Sequence, residues 1–574
     1  MQAEFPPARP RAPPPRLTSA VLRNRLAVDA RTQRPQVVSL PASSPPQPTF
    51  PLRRLWPLAF CFVASVLLRG VFVLEPPGRD QGLFMTQAGL FLDGHRLYAD
   101  IWEHKPPGVI LAYAAAMAVL GRDAVAMHAL GWLAGFLTAL ALWGLVEQAT
   151  QSRRAALLAS GLYLLFQQHP VIGGFWSIAQ AEVLMDPCVA GALWLLYRRE
   201  PTDRPQLRLL GIGILAAGIL LLKYSALPMA AGLALLALQR FRRPLPTAAW
   251  LLAGAVLPFL VLGGYLLAVG AWDAFYTATV AFNRVHRLIG VRDRTQDIVG
   301  QILWRWLSLR PLYLGLFAGL VALGWQRWRR IATPPVLATQ HLFAVALVLW
   351  ACALAEVFWQ GKFWNYQYNV VLLPLCLAAV SGLALLTGLW PTRRRLTRAL
   401  VVLGVAVTLV PTVALSWSYA QEHRLAERWR GDVSWMQFWS TYRWNGPDYD
   451  YAEDAIVAAE VTRRTKPGDA IFVWGFEPAV YLLSGRAPAS RFLYDYPLAP
   501  QFTAVRAQFL AELLADFART PPQLFLVVHN DRSRIEPKES AAQLDDCPEV
   551  KAYLTQHFVA AGRLGDFDLY QRKP

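Results

Sequence analysis

Residues 75–108 read EPPGRDQGLFMTQAGLFLDGHRLYADIWEHKPPG, an ionisable stretch set between two apolar runs. The run before it, Leu55 to Leu74, has the ~20 residues that cross a bilayer core. The run after it, GVILAYAAAMAVLG at 108–121, is too short to cross. Acids and cations held beside a membrane are costly unless they have partners or a ligand. This loop is therefore the first place to look for chemistry.

The rest of the chain supports a membrane reading. Apolar residues make up 55% of the 574, and charged residues only 16%, against about 25% in an ordinary soluble domain. That excludes a disordered chain and a purely soluble enzyme. The net charge is +18, but it lies in short Arg clusters between apolar runs, as in cytoplasmic loops. Nucleic acid is not implied. Cys61, Cys188, Cys352, Cys376 and Cys547 have no metal or disulfide spacing.

Arg53 and Arg54 flank the first span and put the N-terminus inside. Reading 108–121 as a span would place Arg153 and Arg154 outside. Reading it as an interfacial or partly embedded helix puts the clusters at Arg153/Arg154, Arg198/Arg199/Arg204, Arg240/Arg242/Arg243, Arg327/Arg329/Arg330 and Arg393/Arg394/Arg395 inside. Further spans follow at 125–146, 155–172, 183–197, 208–222, 225–239, 247–269, 311–325, 339–358, 366–389 and 398–418. The expected fold is a multi-span α-helical membrane protein of about 11 transmembrane helices with a C-terminal extracytoplasmic α/β domain. Its parts are a disordered cytoplasmic tail at 1–50, rich in Pro and Arg, a membrane domain at 51–419 with its catalytic outer loop at 75–124, and the α/β domain at 420–574. The apolar segment comes too late for a cleavable signal peptide. IFVWGF (471–476) and LFLVV (524–528) read as buried strands, and 452–464 and 504–519 as helices.

Asp80 is either an N-cap for a helix starting near Gln81 or a general base facing a cavity. Lys105, ahead of Pro106-Pro107, is held by the prolines. It is either a snorkelling cation or a phosphate clamp assisted by the following helix N-terminus. Glu103 and His104 would orient it or meet a sugar hydroxyl. Asp186, one turn after Glu182, falls on the same side as Asp80 and Lys105. It either caps a helix, positions a substrate, or helps hold a divalent cation, although no acid-rich ligand cluster accompanies it. Arg69, Lys223 and Lys362, with Glu356, make that face cationic, which suits an anionic lipid headgroup. Trp359, Phe363, Trp364, Tyr366 and Tyr368 form an interfacial belt or a sugar-stacking surface.

Asp80 after the first span, YADIWEHKPPG at 98–108 and the Asp186-Pro187 step resemble the GT-C superfamily of membrane glycosyltransferases. The likeness is to the bacterial branch similar to protein mannosyltransferases, the lipid A aminoarabinose transferase and the rhizobial lipopolysaccharide-core transferases. It is strongest over 70–200, and TKPGDAIFVWG (465–475) with YLLSGRAP (481–488) resembles the periplasmic part of some members. The resemblance implies transfer of a sugar from a polyprenyl-phosphate carrier to a glycan, lipid or protein acceptor of the cell envelope. It places the activity on the periplasmic face of the bacterial inner membrane, with the N-terminus cytoplasmic and the C-terminus periplasmic. It maps the catalytic acid onto Asp80, phosphate binding onto Lys105, and the second acid onto Asp186. Arg69 joins Lys105 as a donor-phosphate candidate, and Glu103, His104, Glu182, Asp186 and Lys362 are substrate-binding candidates. Two departures stand out. Gln81 replaces a frequent Glu, and Asn365, Gln367 and Asn369 stand where many members carry His. A flippase for lipid-linked sugars, or a non-catalytic export partner, is the rival class. A flippase predicts charges at the bilayer midplane and related halves, and the sequence has neither.

Overall fold

In a computed structural model, the described residues are 52–70, 72–167, 169, 172–198, 204–241, 243–289, 295–387, 394–443, 449–532, 536 and 538–574. The expectations for 1–50 and for Arg199, Arg242 and Arg393 lie outside them. The first group of helices is α1 (Leu52–Gly70), α2 (Arg79–Leu92), α3 (Gly108–Leu120), α4 (Ala124–Thr150), α5 (Arg153–Gln167), α6 (Ala181–Tyr197), α7 (Pro205–Leu222), α8 (Leu227–Arg240) and α9 (Pro244–Ala268). Then come the short α10 (Trp272–Tyr276) and α11 (Asn283–His286), joined by a π-helical turn at Thr277–Phe282. The bundle ends with α12 (Thr295–Ser308), α13 (Arg310–Trp328), α14 (Pro334–Gln360), α15 (Leu372–Thr387) and α16 (Arg394–Glu422).

A helix stands at each of the eleven expected span positions. Five of the described helices, at 124–150, 205–222, 244–268, 334–360 and 365–387, are by themselves long and apolar enough to cross a membrane. A sixth crossing is reached if α12 and α13, bent by 82°, count as one. The expected eleven crossings therefore exceed what length and composition alone support, because α5, α6 and α8 are short. The 13-residue α3 falls below a span. Exposed Leu252, Leu257, Leu260 and Val261 on α9 give that helix a lipid-compatible face.

Thr339 Oγ1 at the start of α14 donates to Ala149 O at the end of α4 (3.2 Å). The opposite end of α14 leads to Lys362 and the ionisable groups described below. Close packing requires glycine at two places. A Cβ at Gly108 would stand 2.4 Å from the Leu221 carbonyl oxygen, so the glycine after Pro106-Pro107 lets α3 start against the end of α7. A Cβ at Gly254 would stand 2.1 Å from Leu210 O, which brings α9 onto α7.

Beyond the bundle come α17 (Leu425–Arg430), α18 (Trp435–Trp439), α19 (Tyr451–Arg464), α20 (Ala479–Ser484) and α21 (Thr503–Arg519). They accompany a five-stranded sheet of β1 (Ala470–Trp474), β2 (Ala487–Pro488), β3 (Leu524–Val528), β4 (Phe558–Leu564) and β5 (Phe567–Arg572), ordered β2-β1-β3-β5-β4. β1 lies parallel to β2 and β3, and β5 antiparallel to β3 and β4. β1 and β3 are buried along their whole length, as their continuous apolar sequence implies. One apolar core runs from Phe84, Trp102 and Tyr113 in the α2–α3 region through Tyr494 and Phe509 to the sheet. A second core fills the bundle around α4, α5, α14 and α15.

Gly254→Leu is expected to lower the unfolding temperature in detergent, since overpacking a tight contact costs about 1–3 kcal/mol. An unchanged melting curve would contradict the α7–α9 contact.

Candidate active site

The loop between α2 and α3 is pinned from both sides. Trp102 N donates to Arg491 O (3.0 Å), and Arg491 Nη1 donates to Tyr98 O (2.8 Å). Tyr98, in the left-handed region at φ 67°, donates its hydroxyl to Lys105 O (3.1 Å). Asn283 Nδ2, just past the π-helical turn, donates to His104 O (2.7 Å).

Glu103 is the hub of this loop. It is buried, and its Oε1 accepts from the backbone N–H of His104 (2.8 Å) and Lys105 (3.0 Å). Its Oε2 accepts from Gln87 Nε2 (2.9 Å). Burial alone would raise its pKa. The hydrogen bond with His104 and the charges of Lys105 and His104 outweigh burial and hold it at about 2.

Lys105 Nζ lies 3.3 Å from Asp80 Oδ1 and 4.8 Å from the centre of the Phe84 ring. Burial would lower this amine, but Asp80 and Glu103 raise it above its ordinary value. Asp80 sits in the first turn of α2, and the N-cap is Gly78. The capping role expected for Asp80 is therefore corrected: its carboxylate turns instead to Lys105, and its Oδ2 accepts from Gln180 Nε2 (3.2 Å). Tyr366 lies in the field of both Asp80 and Glu182.

The next residue back, Arg79, ties this corner to the sheet-bearing part. Its Nη2 pairs with Glu477 Oε1 at 2.7 Å, and its guanidinium lies over Tyr449 and Phe476. Tyr449 donates to Pro77 O (2.8 Å) and Thr86 to Pro478 O (2.9 Å).

Glu182 pairs with Lys223, and Asp186 accepts from the Tyr163 hydroxyl at 2.6 Å. Lys362 lies against His286, whose Nδ1 meets Tyr496 OH at 2.8 Å; the His286 and His104 rings are 4.7 Å apart. Burial, then the charges of Lys105 and Lys223, brings Lys362 down to about 7. Burial also lowers His286 and His104.

Asp80, Lys105, Glu103, His104, Glu182 and Lys362 thus belong to one connected neighbourhood, with Asp186 beside it through the field of Glu182. Arg69 takes a different place. It is buried among Gly131 O and Gln167 Oε1, and Gln167 in turn donates to Tyr163 (3.2 Å). This puts it behind Asp186 rather than on the Asp80–Lys105 pair. Gln81 donates to Trp176 O (2.7 Å) and Ile178 O (3.0 Å), so it braces the loop before α6. Gln367 accepts from Trp364 N, Asn369 donates to Ser177, and Asn365 is engaged by Arg305. Gln180 and His286 carried no sequence signal beyond lying near Glu182 and in an outer loop. Among the described residues, no group of three or more His, Cys, Asp or Glu could hold a metal ion.

Residues 104–265 match the family model described as dolichyl-phosphate-mannose-protein mannosyltransferase. No curated protein sequence matches the chain. The structure is similar to ArnT from Cupriavidus metallidurans bound to undecaprenyl phosphate, with a TM-score of 0.52 at 13% identity over 90% of this chain and 97% of that one. The apo state of the same ArnT gives 0.49 at 14% identity over 90% and 98%. The archaeal oligosaccharyltransferase AglB from Archaeoglobus fulgidus, in complex with an inhibitory peptide and a dolichol-phosphate, gives 0.47 at 11% over 91% and 75%. The chain is a multi-pass membrane protein whose overall fold is shared with this ArnT.

The Glu103 carboxyl lies below its unfolded value, from 4.5 to about 2. Its stabilisation is therefore complete above about pH 4.5 and is lost as pH falls toward 2, a loss of roughly 3 kcal/mol. Thermal unfolding in detergent between pH 6 and pH 3 is expected to show this acid slope, and Glu103→Gln to flatten it. An equal slope in the variant would contradict the assignment.

Proposed function

We propose that this chain transfers a sugar from a polyprenyl-phosphate-linked donor to a cell-envelope acceptor, with inversion, at the periplasmic face of a bacterial inner membrane. The observation that carries the reading is the Lys105–Asp80 pair at 3.3 Å. It joins a carboxylate and an amine 25 residues apart, at the end of the bundle away from Arg153 and Arg198. The Arg clusters at the other end favour that end as cytoplasmic.

On the opposite face no nucleotide-sugar pool is at hand, so the donor arrives attached to lipid. In the reaction, the anomeric carbon–phosphate oxygen bond breaks and a bond to the acceptor oxygen forms. The acceptor's hydroxyl proton passes to Asp80, and the lipid phosphate leaves with the bonding electrons. Lys105 meets the charge that grows on that phosphate, with Lys362 as a second amine. A preorganised donor at such a position is worth ~3–4 kcal/mol, and a positioned base typically ~10²–10⁴-fold. The resting pair also has a use. A bound phosphate competes for the Lys105 amine and frees Asp80 to act as base. Glu103 and Gln87 hold the loop backbone, so the amine stays aimed at the phosphate. Glu182 and Asp186 are read as sugar- or acceptor-facing acids. The segment after residue 420 is read as a periplasmic domain that shapes the acceptor side.

Asp80→Asn is expected to reduce sugar transfer by about 10²–10⁴-fold in proteoliposomes supplied with undecaprenyl-phosphate-linked sugar, with the fold retained. Lys105→Ala is expected to reduce donor kcat/KM comparably. Near-normal turnover of the Asp80 variant would remove it as the base.

A further inference from the structure

One buried carboxyl group near this site has no role in the chemistry above. Glu356 lies near the site end of α14 and is fully buried, and among the described residues neither of its carboxylate oxygens has a hydrogen-bond partner. A second buried oxygen, Glu182 Oε2, is also without one. An uncompensated buried carboxylate costs far more than an apolar side chain at the same place. Its helix neighbours Ala353 and Val357 are buried apolar residues, so an apolar residue would suit Glu356's position for packing alone.

Among the described residues no amine is in hydrogen-bond contact with it. Its electrostatic neighbours are Lys223 and Glu182. The Lys223 amine is already on Glu182. Asp186 lies in the field of both glutamates and is satisfied by Tyr163. Three carboxyls therefore share one amine and one phenol. The group is continuous with the reacting pair, because Tyr366 interacts with both Asp80 and Glu182, and Lys105 also feels Glu182.

We propose that Glu356 and the open oxygen of Glu182 form the sugar-recognition end of the donor site, accepting hydrogen bonds from the hydroxyl or ammonium groups of the transferred sugar. This rests on the lipid-linked donor reading above. Clustered carboxyl oxygens match a polyol that offers several donors, and a buried oxygen left unpaired discriminates strongly against a ligand that lacks the matching donor. The excess of acid over amine selects a neutral or amino sugar and rejects a uronic acid.

The test uses the full chain in nanodiscs with four probes: undecaprenyl phosphate, and the same lipid phosphate bearing a neutral hexose, an amino pentose or a uronic acid. Wild type is expected to bind the neutral or amino-sugar lipid better than the uronic-acid lipid. Glu356→Gln and Glu356→Leu are expected to lose about tenfold or more of that affinity, about 1.4 kcal/mol, and to keep their affinity for sugar-free undecaprenyl phosphate. Their unfolding temperatures are expected to equal or exceed wild type, since a purely structural acid would lower them on removal. Equal loss for the sugar-bearing and sugar-free lipids, no loss for either, or a wild-type preference for the uronic-acid lipid would overturn the proposal. Failure of wild type to bind any polyprenyl phosphate would instead overturn the donor reading on which it rests.

Discussion

The ion pair between Lys105 and Asp80 is the constraint around which the upper end of the bundle is arranged. An amine beside an apolar helix bundle is tolerable only with a partner. Asp80 is that partner at 3.3 Å, and Gln180 holds its other oxygen. Neither group reaches the other by local sequence. α2 must start at Arg79, the loop must turn back through the left-handed Tyr98, and α3 must begin at Gly108 against the end of α7. Backbone hydrogen bonds around Tyr98 and Trp102 and close packing at Gly108 meet these requirements, so the pair is held by a framework rather than by its own attraction.

That framework has two halves. The bundle supplies Gln180, Lys223, Asn283 and Tyr366, while the sheet-bearing segment supplies Arg491, Tyr449 and Glu477. The Arg79–Glu477 bridge is placed one residue before Asp80, so the C-terminal segment bears directly on the orientation of the carboxylate. The continuous core from Phe84 to the sheet makes the same connection through apolar packing.

Much of this was legible in the sequence, for identifiable reasons. The helix positions followed from apolar runs, and β1 and β3 from short, continuous Val, Ile and Phe segments. Counting spans by the Arg clusters put Asp186 on the same side as Asp80 and Lys105. What escaped depends on tertiary approach. β4 and β5 contain Gly562, Arg563 and Asp568 and carry no strong strand pattern, and they pair because the hairpin lies against β3. The cap of α2 fell to Gly78 because Lys105 and Gln180 claim the Asp80 side chain. Arg69 looked like a surface cation at the end of a span, but Gly131 and Gln167 draw it inward. His286 and Tyr366 sit on distant segments, and nothing local marks them as neighbours of the loop.

In the proposed reaction a lipid phosphate takes the Lys105 amine from Asp80. A structure of the protein with bound undecaprenyl phosphate measures this directly. The phosphate oxygens are expected within hydrogen-bond reach of Lys105 Nζ, with Asp80 released toward the space where an acceptor hydroxyl must come. A phosphate bound elsewhere, with Lys105 still resting on Asp80, would contradict it.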